Sequence, residues 1–169
     1  MPFLALEFKM NMVGVTNLRI EDPIEYRWFI KVKCTGCGEI PQVWQYVVIE
    51  ELVPIPESKS EAHLVEKCNF CNRVNYLCIV PSTMNNYKIE KNREFQQVVI
   101  FESRGMEPVE FDLRSGWTVD SVHSPVVFQD IDLEDRAWAD YDDREHIPVE
   151  INEIEYRFTP TTMGKKKKR

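Results

Sequence analysis

The sequence predicts a mainly β fold, sandwich- or barrel-like, made of two similar β-rich halves. Three observations carry that expectation. Apolar and polar residues alternate in many short runs, turn-forming residues border those runs, and helical periodicity is scarce. At 169 residues, with nine Phe, six Tyr and four Trp, the chain can bury a core of its own and is expected to form a single domain. That domain is expected over residues 1–158, with halves of about 1–90 and 91–158, and a flexible basic tail over 159–169.

The elements follow in order. Leu4, Leu6, Phe8 and Met10 alternate with smaller or charged residues, which is the pattern of a strand with one face buried. Tyr26, Trp28, Ile30, Val32 and Cys34 form one face of a second strand, with Arg27, Lys31 and Lys33 on the other. The runs around Trp44–Ile49, Tyr76–Val80 and Val98–Phe101 are β-branched and aromatic. Glu61–Lys67 has the composition for two helical turns. Val109, Phe111 and Leu113, and later Ile154, Tyr156 and Phe158, alternate with charged residues. A faint echo lays Phe29–Ile40 over Val98–Val109, with Ser103 and Met106 standing where Cys34 and Cys37 stand. It reads either as an internal duplication or as two chance copies of a short strand-and-turn pattern.

Charge and composition exclude some function classes. Taking the +5 of Lys165–Arg169 from the net −7 of the whole leaves a body at −12. Such a body repels phosphate, which argues against nucleic-acid binding by the folded part. The Lys-rich end follows a breaker-rich linker, Thr159–Gly164, and reads as a solvated tail, a nuclear import signal or a contact for an acidic partner. No run reaches the roughly 18 apolar residues of a membrane helix. The first residues lack a basic n-region and meet Glu7 and Lys9 early, so no signal peptide is expected. A cytoplasmic location follows as the default.

The most specific feature is a doubled Cys-x-x-Cys: Cys34-Thr35-Gly36-Cys37 and Cys68-Asn69-Phe70-Cys71, with 30 residues between them. Two residues between cysteines let one tight turn aim both sulfurs at a single ion. Two such turns supply four thiolates, the closed tetrahedral set of structural Zn²⁺. Four thiolates around Zn²⁺ leave a net charge of about −2. Lys33 and Lys67, each preceding a pair, are placed to offset it, and Gly36 and Gly38 let the first turn fold closely. A site of this kind contributes on the order of 10 kcal/mol to folding. Redox use of either pair is disfavoured, because Gly38, Pro41 and a strand follow Cys37 where a thioredoxin-type pair would open a helix. An iron–sulfur centre and labile transfer of a soft ion such as Cu(I) are the remaining metal readings.

Other reactive side chains form no catalytic set. Cys78 lies in the apolar run Tyr76–Val80, where a buried thiol acting as a small hydrophobe is expected. The alternative is a thiol oxidoreductase braced by zinc. His63 is expected at the surface or beside the second knuckle, and His123 and His146 in loops. The acidic run from Asp130 to Glu145 lacks the glycine and glutamate spacing of an EF-hand and reads as a solvated rim. Trp138 and Tyr141 within it either anchor the loop or belong to an interface. A nucleic-acid-binding zinc module acting through the Lys-rich tail is the second functional alternative.

Several segments together resemble the eukaryotic CXXC-motif-containing zinc-binding protein family. They are Thr16–Arg19, Arg27-Trp28, Lys33-Cys34-x-x-Cys37-Gly38-Glu39, Trp44-Gln45-Tyr46, Lys67-Cys68-x-x-Cys71, Arg104-Gly105-x-Glu107-Pro108-Val109-x-Phe111 and Trp138-x-Asp140-Tyr141-Asp142. They run in order over about residues 3–158. The resemblance implies a β-rich fold of two related halves, one zinc at Cys34, Cys37, Cys68 and Cys71, and no established enzyme activity. It also implies a protein partner, the copper chaperone for superoxide dismutase, and a role in metal homeostasis as scaffold or adaptor. Ser103 departs from relatives that carry cysteine there, as does the Lys-rich tail. Neither the resemblance nor the residues fix an oligomeric state.

Overall fold

A computed structural model describes residues 2–163; the Lys-rich end, Lys165–Arg169, lies outside the described residues. Fourteen strands make up the described chain: β1 (Phe3–Val13), β2 (Val15–Ile20), β3 (Trp28–Cys34), β4 (Gln45–Val47), β5 (Val53–Pro54), β6 (Glu61–Ala62), β7 (Leu64–Lys67), β8 (Val74–Val80), β9 (Gln96–Arg104), β10 (Met106–Asp112), β11 (Trp117–Ser121), β12 (Val127–Ile131), β13 (Trp138–Asp142) and β14 (Ile147–Thr161). Two single 3-10 turns, Pro81–Thr83 and Ile89–Lys91, sit in the segment between β8 and β9. Every pairing is antiparallel, so the mainly β expectation holds.

A six-stranded sheet runs β13-β14-β1-β9-β8-β7, and two three-stranded sheets run β10-β3-β4 and β12-β11-β2. The large sheet reads the same from either edge, with β1 corresponding to β9, β14 to β8 and β13 to β7. Each half lends its second strand to the other's small sheet: β2 joins β11 and β12, while β10 joins β3 and β4. Individual hydrogen bonds repeat as well. Thr35 N–H donates to Gly105 O at 2.9 Å, and Val122 N–H to Gly14 O at 3.0 Å. Cys34 N–H donates to Glu39 O at 2.9 Å, and Ser121 N–H to Val126 O at 2.9 Å. Two related halves are therefore present, but the register differs from the echo in the sequence. Strand β3 corresponds to β11, Cys34 to Ser121, Ile30 to Trp117, and Gly14 to Gly105. The glycines share a reason: both have positive φ, +77° and +82°, and a Cβ would collide with Val149 at one and Asn75 at the other.

One core joins the sheets. Phe8 of β1 packs on Phe111 of β10 and Trp117 of β11 at ring separations of 5.9 and 5.6 Å, and Trp28 packs on Phe101 and Phe111. Such pairs contribute about 0.5–1.5 kcal/mol each beyond the area they bury. The alternation read in Trp28–Cys34 holds residue by residue. Two expectations fail here. Glu61–Lys67 is not helical: Leu64–Lys67 pairs with β8, and that tertiary ladder outweighs the helix propensity of Glu and Lys. The strand β14 also runs to Thr161, paired with Phe3, so Thr159–Thr161 are part of the sheet and not of a linker.

Candidate metal centre

Strand β3 ends at Cys34, and the chain turns at once, with Gly38 N–H donating to Cys34 O at 2.7 Å. That turn carries Cys37. The second knuckle is the hairpin turn between β7 and β8. Cys68 N–H donates to Arg73 O at 2.8 Å, and Asn72 N–H to Cys68 O at 2.9 Å, with Asn72 in the left-handed region at φ +62°. The pairing of Met106 with Cys34 in one sheet, and of β8 with β9 in the other, brings the two turns together.

All four sulfurs converge. The Sγ atoms of Cys34, Cys37, Cys68 and Cys71 lie within 4.8 Å of one another, with Cys34–Cys71 at 3.7 Å and Cys37–Cys68 at 3.5 Å. A tetrahedral zinc with Zn–S bonds of about 2.3 Å holds its sulfurs about 3.8 Å apart. The donor set and its spacing therefore fit zinc. Cys34 and Cys68 are buried, Cys71 is half-buried and Cys37 is exposed, so one side of the cluster faces solvent. A cavity of about 340 Å³ adjoins Cys34 and Cys68, with Glu39, Glu66 and Met106 on its wall.

The sulfurs differ electrostatically. Burial pushes the Cys34 thiol up, but hydrogen bonds from Asn75 and from the backbone of Cys37 and Gly36 outweigh it and hold the group at about 6. The backbone of Glu39 lowers Cys37, while burial and the neighbouring cysteine sulfurs push it up to about 12. A metal replaces this shared-proton arrangement by drawing all four sulfurs into the thiolate form.

Two neighbours escaped the sequence reading. Asn75, buried on β8, donates from Nδ2 to Cys34 Sγ at 3.4 Å. Its signal is parity: it occupies a core-facing position in the series Asn75, Leu77, Ile79. Arg73 lies against the first knuckle, with Nη1 2.6 Å from where a Cβ on Gly36 would stand. Lys33, by contrast, points away from the sulfurs and pairs with Glu107 at 3.4 Å, because neighbours on a strand face opposite sides.

The remaining candidates take places of their own in the fold. Cys78 is half-buried on the outer face of β8, with Leu77 and Ile79 turned to the core. Burial pushes its thiol up, the His63 backbone lowers it less, and Glu102 adds to the rise, the reverse of what a nucleophilic thiolate needs. His63 is structural: Ile79 N–H donates to its Nδ1 at 3.0 Å, and its Nε2 lies 3.2 Å from Ile49 O. Burial holds it below the usual histidine range against that backbone contact. Trp138 anchors its loop on Phe128 at 5.3 Å, whereas Tyr141 is exposed.

Asp142 is not part of a solvated rim; it is fully buried. Its Oδ2 accepts from Ser121 Oγ at 2.5 Å and Ser124 Oγ at 2.7 Å, and its Oδ1 from Arg144 N–H at 2.9 Å and Glu145 N–H at 3.2 Å. The Ser121 hydroxyl first, with Ser124 and the two amides, holds the carboxyl at about 2 in spite of burial.

Residues 5–159 match the family described as CXXC motif containing zinc binding protein, eukaryotic. The chain belongs to that family. It is 47% identical to UPF0587 protein F46B6.12 of Caenorhabditis elegans, over 99% of this chain and 100% of that one. It is 38% identical to the CXXC motif containing zinc binding protein of Homo sapiens, over 92% and 96%. The crystal structure of C1orf123 superposes with a TM-score of 0.89 at 36% identity, covering 94% of this chain and 99% of that one. A hypothetical protein from Plasmodium falciparum, at 21% identity, shares the fold with a TM-score of 0.83 over 94% and 100%.

Proposed function

We propose that Cys34, Cys37, Cys68 and Cys71 hold one structural zinc that ties the β3 turn to the β7–β8 hairpin, and that the clamped surface serves a protein partner. The convergence of four sulfurs within 4.8 Å, from turns 30 residues apart, carries this reading. Beside the sulfurs the surface is unusually apolar: Phe70 is 73% exposed and Val43 60%, with Trp44 partly exposed and Lys31 over its ring at 4.9 Å. Such residues next to an acidic body suit a partner with apolar and basic groups. The protein then acts as a scaffold or adaptor in metal homeostasis, in a reducing compartment such as the cytosol, without catalysis of its own. The copper chaperone for superoxide dismutase is the first partner to try.

The test has two parts. Elemental analysis of the purified protein is expected to give one zinc per chain, falling to none in Cys68→Ser. Titration with the chaperone is expected to shift amide resonances around Trp44 and Phe70, and Phe70→Ser to remove those shifts. A metal-free folded protein sinks the zinc assignment; an unchanged spectrum sinks the partner.

The exposure of Cys37 favours a second reading, exchange of the metal with a partner. Exchange of bound zinc against an isotopically labelled pool within minutes supports it. An inert zinc rejects it.

A further inference from the structure

A cavity of about 150 Å³ lies away from the cysteines, walled by Phe8, Leu18, Trp28, Val98 and Trp117. Its remaining wall includes Met84–Tyr87, from the segment that joins β8 to β9. Trp28 is completely buried, and its indole Nε1–H has no hydrogen-bond partner. Among the described residues the other buried side-chain atom in that condition is Asn75 Oδ1, which belongs to the metal centre. A buried donor without an acceptor is rare in folded proteins and asks for an explanation.

The other tryptophan on the cavity wall offers a contrast. Trp117 donates its Nε1–H to Leu113 O, four residues earlier, at 2.9 Å. The residue four before Trp28 is Ile24, which is 52% exposed and sits in a turn closed by Tyr26 N–H to Asp22 O at 3.1 Å. Of the two indoles on this wall, Trp117 therefore has an acceptor and Trp28 has none. The wall also carries the carboxamides of Asn85 and Asn86, but no free cation. Arg19 is tied to Asp120 at 3.0 Å and to Asn17 O at 2.8 Å, and the Tyr87 hydroxyl donates to Glu94 O at 2.8 Å.

We propose that this cavity is a binding site for a small uncharged molecule, of the size of one substituted aromatic ring, whose single hydrogen-bond acceptor takes the Trp28 indole N–H. Size and chemistry argue separately for that class. An apolar cavity of about this volume holds one benzene-sized ring. Aromatic and aliphatic walls favour a flat apolar body, and the unpaired donor selects one acceptor atom. The absence of a free cation disfavours a carboxylate or phosphate. The site shares no residue with the metal centre, so the inference stands independently of the zinc.

Acetophenone is a suitable probe, with isopropylbenzene as the control of similar shape that lacks an acceptor. Both are titrated into the full-length zinc-loaded protein while the four indole N–H resonances are followed by ¹H–¹⁵N NMR. Acetophenone is expected to move the Trp28 indole resonance downfield and to bind about fivefold more tightly than the control. Met84→Trp, at a half-buried wall position, is expected to abolish both titrations while leaving the folded spectrum intact. An indole resonance that acetophenone leaves in place overturns the proposal. In that case the donor serves a water, or rests on the faces of Tyr26 or Phe101, whose centroids lie 5.2 and 6.3 Å from that of Trp28. Equal affinity for the two probes overturns the assignment of the acceptor.

Discussion

The turn after β7 and the turn after β13 hold equivalent places at opposite edges of one sheet, yet the first carries two cysteines and the second a buried aspartate. Their backbones match. Asn72 N–H closes on Cys68 O at 2.9 Å, His146 N–H closes on Asp142 O at 2.7 Å, and both donors have positive φ. The partner turns match too, with Cys34 standing where Ser121 stands and Cys37 where Ser124 stands. In one half four sulfurs converge within 4.8 Å; in the other, one carboxylate accepts two hydroxyls and two amides. The lesson is that the fold needs these two turns fastened, and that a thiolate set and a carboxylate fasten them by different means. Thiolates repel one another and need a cation between them. Asp142 meets donors directly and needs none.

Metal removal should separate the two ends most sharply. Chelation of zinc, or Cys68→Ser, is expected to lower the melting temperature by more than about 15 °C, since a structural zinc rivals the net stability of a domain. Calorimetry of the two forms checks this, and an unchanged melt would leave the cysteines without a structural role. Asp142→Ala comes next. It strands Ser121, Ser124 and two amides in a buried site, and should cost roughly 10 °C in melting temperature with zinc content unaltered.

Acid distinguishes the clamps in a second way. The Asp142 pKa is depressed to about 2, so its contribution is complete above the unfolded value of about 4 and fades as pH falls towards about 2. Protons compete with zinc for thiolates at higher pH. The gap in melting temperature between wild type and Asp142→Asn should thus stay constant from pH 7 to about 5 while zinc occupancy declines. Narrowing of the gap in that range would contradict the assignment of an ionised, hydroxyl-bound carboxylate. Asn75→Leu removes the N–H donor to Cys34 Sγ and is expected to weaken zinc binding about tenfold in a competition titration. Ser124→Ala is the mildest change, at about 1 kcal/mol in denaturant unfolding, because one hydrogen bond of four is lost.

Much of this architecture was legible in residue order, and the failures have physical causes. Period-two alternation gave β3 and most of β1 directly, because each has one core face. Glu61–Lys67 misled because Glu, Ala, Leu and Lys favour helix locally, and only pairing with distant β8 decides otherwise. The duplication was legible but misaligned. The Gly36 and Gly105 turns are alike locally, whereas the true correspondences are Gly14 with Gly105 and Cys34 with Ser121. Spacing sufficed for the four cysteines, since Cys-x-x-Cys is a local geometry. Asn75 and Asp142 depend on what long-range folding places next to them, and an acidic run gives no hint that one member is buried.

Amide hydrogen exchange with and without zinc, below the melting point of the metal-free protein, tests the central asymmetry most directly. The account predicts that Gly38, Cys68 and Asn72 lose protection on zinc removal, while Ser121, Glu145 and His146 keep theirs. Equal loss at both turns, or no loss at either, would contradict a metal clamp at one edge matched by a carboxylate clamp at the other.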